Sequence, residues 1–325
     1  MRYAVMADIH GNMPAFRAVL ADAEACGAEE YIFLGDYCNH LSGSREVVEL
    51  LRGMGNAHVI AGNEDYHIAG RRGQDQATWT DGQFLATYWT FRQFDEAGLD
   101  FLEELPEELQ ILLAGGLTAK CFHKPGHTFP GTVLEQFSSS GFEEENRKQL
   151  LSVRAYGDQL KAQTQADEPL RRILQQEKAD IFLCAHFHVP FSVEIEGKLV
   201  LNPGSVGLPM TNGQGANYAL LDCADGQWQV EHRFVPYDVE QAIADMHTSG
   251  LYEVAPLWSE IIEEEVRAQM ERVTFFLRHM WQYAREQGET VYPYTKEFFA
   301  AGYAHWREKS PYPTPDFAKK RKGKP

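Results

Sequence analysis

No apolar run in the sequence approaches the roughly 18 residues that a membrane-spanning helix needs. Cysteine is scarce: Cys26, Cys38, Cys121, Cys184 and Cys223 are the only five in 325 residues, scattered and odd in number. That argues against a disulfide framework and reads as reduced thiols. Cys121 and Cys184 lie inside apolar runs, where cysteine behaves as a small hydrophobe. Positive charge is also short, with 30 Lys and Arg against 47 Asp and Glu, a formal net charge of -17 and a pI near 5.1. Such a balance disfavours broad binding to nucleic acid or anionic membrane. Internal repeats and low-complexity tracts are missing. No charged stretch leads into an apolar segment at the N-terminus, so no signal peptide is expected and a cytoplasmic location follows.

What is present is an ordinary globular composition, 44% hydrophobic and 24% charged, long enough for one large domain or a domain with an appendage. The first residues read strand, loop, helix. An apolar run from Tyr3 to Ala7 precedes Asn12-Met13-Pro14, an N-cap with proline in the first turn. Ala15 to Ala25 is helix-favouring and Gly27 stops it. The unit repeats, with a strand over 31–35, a helix from Ser44 to Met54 and a strand over 57–61. Alternating strands and helices predict a largely parallel sheet with covered faces. Residues 73–108 are helical and aromatic (Trp79, Phe84, Tyr88, Trp89, Phe91, Phe94), a stripe that reads first as helix packing. Two strands joined near Gly115-Gly116 fill 109–122. A polar stretch, 126–167, reads as loop and exposed helix, either a rim over a site or a solvated insertion. Hairpins follow around Glu196-Gly197 and Ala224-Asp225-Gly226-Gln227.

Beyond Asp238 the pattern turns helical. Leu257, Ile261, Ile262, Val266, Met270, Val273, Phe276, Leu277, Met280, Trp281 and Ala284 recur every three or four residues, predicting one helix ~45 Å long at 1.5 Å per residue. Its stripe must be covered by its own domain or by a second copy of the chain. The basic end, Lys319 to Lys324, reads as a solubilising tail, with a nucleic-acid tether as the rival.

Five short segments each close an apolar run with side chains that bind metals: Asp8-Ile9-His10, Gly35-Asp36, Gly62-Asn63, Phe122-His123 and Ala185-His186-Phe187-His188. Open α/β sheets place chemistry at the carboxyl ends of their strands in this way. Singly, each segment is more often a turn, a cap or an ordinary histidine. Five in series point to metal binding. Two neighbouring cations repel, so an anionic oxygen must lie between them, and Asp36 is the natural bridge because a carboxylate offers several lone pairs. Gly35 lets the backbone come close. Asp8 and His10 lie two residues apart, as do His186 and His188, and Asn63 adds a neutral oxygen. Mixed oxygen and imidazole ligation suits manganese, iron, zinc or nickel over calcium, manganese foremost.

The ordered set resembles the calcineurin-like metallophosphoesterase superfamily. Asp8-Ile9-His10-Gly11-Asn12, Gly35-Asp36, Gly62-Asn63-Glu64-Asp65, Phe122-His123-Lys124-Pro125 and Ala185-His186-Phe187-His188 are similar to its successive motifs. Asn202-Pro203-Gly204-Ser205-Val206-Gly207 resembles its small prokaryotic phosphodiesterase-like branch. The resemblance implies an α/β sandwich of two mixed sheets flanked by helices over 1–236, with 237–325 left as a helical C-terminal extension. It implies one ion on Asp8, His10, Asp36 and His188, a second on Asp36, Asn63, His123 and His186, and attack on phosphorus by hydroxide held on the metals. Asp36, Asn63, Glu64 and His123 then form the catalytic group.

Two departures stand out. Ala185 replaces a usual glycine, and Glu64 replaces the histidine that helps bind phosphate or protonate the leaving group. A carboxylate there lowers the positive charge of the site, which favours a monoanionic diester over a dianionic monoester. His40, His67, His127 and Lys124 are then the candidate phosphate-side cations. The expected activity is hydrolysis of a phosphodiester or nucleotide-like substrate by two divalent ions. The alternatives are a phosphomonoesterase or protein phosphatase, a nuclease, and an idle scaffold of the same fold. The expected partner is a small phosphorylated molecule, with no membrane involved, nucleic acid not favoured, and the C-terminal helices as the surface for any homodimer.

Overall fold

Strand β1 (Arg2–Met6) runs through the middle of the first sheet, flanked by β2 (Glu30–Phe33) and β3 (Ala57–Val59) on one side and by β9 (Ala216–Ala224) and β10 (Gln227–Val235) on the other. In the computed structural model, which describes residues 1–140, 153–210 and 214–309, a second sheet runs β4 (Glu108–Leu112), β5 (Thr118–Phe122), β6 (Ile181–Leu183), β8 (Lys198–Asn202), β7 (Phe191–Ile195). Both sheets are mixed. β1, β2 and β3 are parallel, as are β5, β6 and β8, while β9, β10, β4 and β7 pair antiparallel. The largely parallel sheet read from strand–helix alternation is therefore corrected. The late hairpins return to both sheets as antiparallel members, which alternation in the first half of the chain does not announce.

Alternation along β1 sets the layers. Tyr3, Val5 and Ala7 face the second sheet and meet Ala119, Cys121, Ile181, Leu183 and Leu201 there. Ala4 and Met6 face the other way, onto Phe16 and Val19 of helix Met13–Ala25 and Val47, Val48 and Leu51 of helix Ser44–Arg52. The far face of the second sheet packs Phe122, Phe182 and Val200 against Leu134, Leu160, Leu170 and Leu174. The order is helix, sheet, sheet, helix, and each fully buried large apolar side chain contributes roughly 1.5–3 kcal/mol. The described parts of the polar 126–167 stretch, helices Val133–Ser140 and Val153–Ala166, thus cover the second sheet through Leu134 and Leu160; its run Glu143-Glu144-Glu145 lies outside the described residues, as does the basic tail.

The aromatic stripe is packing. Trp79 stacks on Tyr88 at 4.6 Å and meets Phe91 edge-on, and Arg71 lies over Phe84 and Tyr88. All five cysteines are free thiols. Among the described residues no helix is long and apolar enough to cross a membrane.

The single long helix expected after Asp238 is broken. Helix Pro256–Ala268 ends at Gln269, whose backbone is left-handed (φ 47°), and a new helix, Val273–Gln287, follows. Two buried polar side chains make the break. Glu265 Oε2 accepts the N–H groups of Arg272 (2.7 Å) and Val273 (2.8 Å), capping the second helix, and Gln269 Oε1 accepts the N–H of Gly215 (2.9 Å). Apolar spacing carries across such a corner, so periodicity alone does not reveal it. The extension packs on its own sandwich: Met246, Leu251, Ile261, Ile262 and Phe276 share a core with Leu41, Ala86, Trp89 and Leu208. Helix Pro256–Ala268 is buried continuously from Ile261 to Val266, the consecutive acids Glu263, Glu264 and Glu265 included. Each has its own partner: His247 and Tyr252 for Glu263, Arg307 for Glu264, and the capped amides for Glu265.

Candidate metal centre

The carboxyl ends of β1, β2 and β3 and those of β5 and β6 open onto one place between the sheets. The loop after β1 is held on both sides. Asp8 and His10 donate their N–H groups to the carbonyls of Gly35 and Asp36 (3.0 Å each), and Gly207 N–H reaches the Asp8 carbonyl at 2.9 Å. A Cβ on Gly207 would stand 1.8 Å from the Ile9 oxygen, so only glycine permits this approach. The approach Gly35 permits is to Gly62: a Cβ there would lie 2.4 Å from the Gly62 nitrogen. The second and third motifs are thereby pressed together.

Two clusters result. Asp8, His10 and His188 place ligand atoms within 4.8 Å of one another, and so do Asp36, His123 and His186. In the first, His10 Nε2 and His188 Nε2 are 3.2 Å apart and His188 Nε2 is 3.6 Å from Asp8 Oδ1. Two ring nitrogens bound to one ion at about 2.1 Å stand about 3.0–3.4 Å apart at ordinary coordination angles, so the spacing fits a shared ion. In the second, His123 Nε2 is 3.2 Å from Asp36 Oδ2. That oxygen is also 3.9 Å from His10 Nε2, and Asp8 Oδ1 is 3.9 Å from His123 Nε2, so the clusters adjoin. Asp36 Oδ1 is already taken by the Glu64 N–H at 2.8 Å, leaving Oδ2 for the space between them.

The donor set passes a test of fit. Asp8 Oδ1, Asn63 Oδ1 and His123 Nε2 are buried without a hydrogen-bond partner, a costly condition that ligation relieves. Their other atoms are anchored. His123 Nδ1 meets the Leu34 carbonyl at 2.7 Å and His10 Nδ1 the Cys38 carbonyl at 3.3 Å, the outer contacts that orient ligating histidines. Asn63 Nδ2 donates to Glu64 Oε1 at 3.1 Å, which fixes the amide with its oxygen free. Backbone strain concentrates here as well. Asp8, His10, Asp36, Asn39, His40, His186 and His188 all have left-handed φ, between 50° and 81°, a conformation that persists for such residues only where the surroundings impose it.

Charge follows from burial and neighbours. Burial drives His10 down to about 3, helped by His40, so its ring is neutral and ready to ligate. Burial opposes a charged His123, but Asp36 and Asp8 overcome it and push the ring up to about 10. For Asp36, burial would raise the carboxyl, yet His123 and His10 hold it well below the usual range. Glu64 behaves alike: burial raises it, but the hydrogen bond with His67 and the neighbouring His40 and His67 rings hold it at about 2. It is therefore ionised, and it also accepts Asn39 Nδ2 at 2.6 Å.

Six of the seven ligand candidates read from the sequence meet here, and Asn63 lines a cleft with His123. The four candidate cations separate. Lys124 and His127 line a cleft of about 220 Å³ with Asn63, His123, Tyr66 and Glu107. His67 sits on Glu64, and His40 is buried against His10, rings 4.6 Å apart. Sequence reasoning missed Asp65. Its carboxylate takes four backbone N–H groups, from Asp36 and Gly62 on Oδ2 (2.8 Å each) and from Tyr37 and Cys38 on Oδ1 (2.9 and 3.2 Å). An acid three residues after a helix-capping position carries that signal. Ser205 was missed also; its hydroxyl holds the Asp8 carbonyl at 2.8 Å.

Comparison with known proteins agrees with this geometry. A family model described as the calcineurin-like phosphoesterase superfamily domain matches residues 1–226. A metallophosphoesterase from Sphaerobacter thermophilus is similar in fold, with TM-score 0.57, 23% identity, and coverage of 83% of this chain and 99% of its own. So is a hypothetical protein from Pyrococcus horikoshii, with TM-score 0.57, 22% identity, and coverage of 79% and 97%. An uncharacterized protein of Methanocaldococcus jannaschii is 26% identical over 260 residues, 74% of this chain and 89% of that protein.

Proposed function

The chain belongs to the calcineurin-like phosphoesterase superfamily, and from that premise we propose that it hydrolyses phosphodiesters with two divalent metal ions. Membership makes it a hydrolase of phosphoric esters that uses divalent metals; the diester preference and the paired ions are the proposal. The observation that carries it is the position of Asp36 Oδ2, 3.2 Å from His123 Nε2 and 3.9 Å from His10 Nε2, at the seam of two candidate ligand clusters. Asp8, His10 and His188 would hold one ion and Asn63, His123 and His186 the other, with Asp36 common to both. Such ions lower the pKa of water and neutralise charge on a transferring phosphoryl group.

The protein's own groups then set the preference. Two divalent ions against the carboxylates of Asp8, Asp36 and ionised Glu64 and one hydroxide would leave no net charge. A monoanionic diester then meets less repulsion than a dianionic monoester. Glu64 also holds the Asn63 amide nitrogen and leaves its oxygen free for a ligand, so the residue that departs from the family pattern would serve the ligand set. Manganese is the metal we expect to work best.

The test compares bis(p-nitrophenyl) phosphate with p-nitrophenyl phosphate under Mn²⁺. The diester is expected to have the higher kcat/KM, Asp36→Asn to abolish turnover, and Glu64→His to move the ratio toward the monoester about tenfold. A wild type that prefers the monoester and does not respond to Glu64→His refutes the charge argument. A second reading, phosphomonoester hydrolysis, draws on Lys124 and His127 in the cleft beside His123, where they would pair with a second phosphate charge.

A further inference from the structure

Nothing in the matched segment, which ends at residue 226, gives the C-terminal helices a role at the centre, yet one of their side chains reaches it. Trp258, in helix Pro256–Ala268, donates its indole N–H to His40 Nδ1 at 3.2 Å, and the two rings stack with centroids 5.5 Å apart. His40 also lies against the ligand His10, ring centroids 4.6 Å apart.

The segment carrying His40 is held from every side. Asn39 N–H donates to Ser44 Oγ at 3.0 Å, and Asn39 Nδ2 bridges Glu64 and Thr87 at 2.6 and 3.2 Å. Leu41 N–H reaches the His10 carbonyl at 3.0 Å. Asn39 and His40 both adopt left-handed backbone, φ 69° and 73°, a conformation with a cost that the surrounding bonds must meet.

We infer that Trp258 is a positioning residue: it fixes His40 as the Nε2–H tautomer and so supplies a neutral hydrogen-bond donor for a phosphoryl or leaving-group oxygen of the substrate. The chemistry is that of a histidine with one nitrogen committed. A ring whose Nδ1 accepts must carry its proton on Nε2. Among the described residues none pairs with His40 Nε2, and the residue keeps 9% of its surface exposed. Glu64, at the position of the family's usual histidine, has no imidazole N–H to offer; His40, next to the Asn39 that donates to Glu64, does. No proton is transferred in this role. The donor strengthens as negative charge grows on the oxygen it meets, the kind of contact whose removal lowers kcat more than it changes binding. The inference rests on the phosphoester reading for the identity of the ligand, though not for the state of the ring.

Two measurements test it separately. Ring ¹⁵N–¹H correlation spectra of the metal-free protein report the His40 tautomer, with His40→Ala for assignment. A protonated Nε2 and unprotonated Nδ1 are expected in the wild type, and a mixture of tautomers in Trp258→Phe, which keeps the stacking ring and loses the N–H. Kinetics of the Mn²⁺-loaded enzyme on bis(p-nitrophenyl) phosphate report the contact. His40→Ala is expected to lower kcat about thirtyfold and Trp258→Phe about fivefold, each with KM within about threefold. His40→Gln, whose amide can place an N–H near the same point, is expected to recover part of the loss. A wild-type ring protonated on Nδ1, or kcat unchanged in His40→Ala, overturns the inference. If the wild type turns over no phosphoester while the spectra come out as expected, the function falls and the hold of Trp258 on His40 stands.

Discussion

Asp65→Asn should unfasten the metal centre without touching a ligand. Each Asp65 oxygen accepts two backbone N–H groups, from Asp36, Gly62, Tyr37 and Cys38, and the side chain is fully buried. Asparagine keeps one oxygen and turns the other into an amide NH₂. Two N–H donors then face another donor. A hydrogen bond to a charged acceptor contributes about 1.5–3 kcal/mol, so losing two costs about 3–6 kcal/mol. That is a large part of the 5–15 kcal/mol that keeps a typical domain folded. Urea denaturation of the metal-free protein, followed by circular dichroism, measures the loss. Titration calorimetry with Mn²⁺ should show affinity reduced at least tenfold, because the strand ends bearing Asp36 and Asn63 are no longer tied together. A loss below about 1 kcal/mol with normal Mn²⁺ affinity would show that the four bonds are incidental to the site.

Three further expectations concern stability. His232 has both ring nitrogens buried and unpartnered, and burial, with Lys161 nearby, lowers it to about 4 from an ordinary 6.5. Its contribution is present above pH 6.5 and lost as pH falls toward 4, up to about 3 kcal/mol by linkage; urea midpoints of His232→Leu at pH 4.5 and 7 should differ less than those of wild type. Glu265 goes the other way: burial and Glu271 raise it from 4.5 to about 8, so its contribution is full at low pH and is lost as pH rises through 8. Glu265→Gln, which still accepts the Arg272 and Val273 amides, should match the wild type at pH 5 and exceed it at pH 9 in thermal melts. Removing metal with EDTA should lower the melting temperature, since an ion at a hundred times its Kd stabilises the folded chain by about 2.7 kcal/mol; equal melting with and without EDTA and Mn²⁺ would speak against a built metal site.

The ligands were legible because each ends an apolar run, and a strand direction converts that position in sequence into a position in space. Asp36 and His123 sit on different sheets, yet both follow parallel strands, so their meeting was foreseeable from strand order. The supports were less visible. Asp65 and Ser205 act on the backbone of distant loops, and nothing in their own neighbourhoods marks the partner. Trp258 reads as one more apolar helix residue, because periodicity records which face is covered but not what its polar edge touches. The break at Gln269 escaped for the same reason: Glu265 caps the new helix from within a continuous apolar stripe. The bounds of the first three strands came out within two residues, while the antiparallel joins of β4, β7, β9 and β10 depended on hairpins whose destination the local signal leaves open.

The shared core of the C-terminal helices and the sandwich has a practical consequence for anyone trimming the gene to the segment that matches the family. A fragment stopped near residue 226 would uncover Leu41, Ala86, Trp89 and Leu208 together, a greasy surface of the kind that makes recombinant proteins precipitate. It would also release the Gly215 amide from Gln269 and the His40 ring from Trp258. Poor yield or feeble turnover from such a shortened product would then reflect a missing wall and not an inert enzyme.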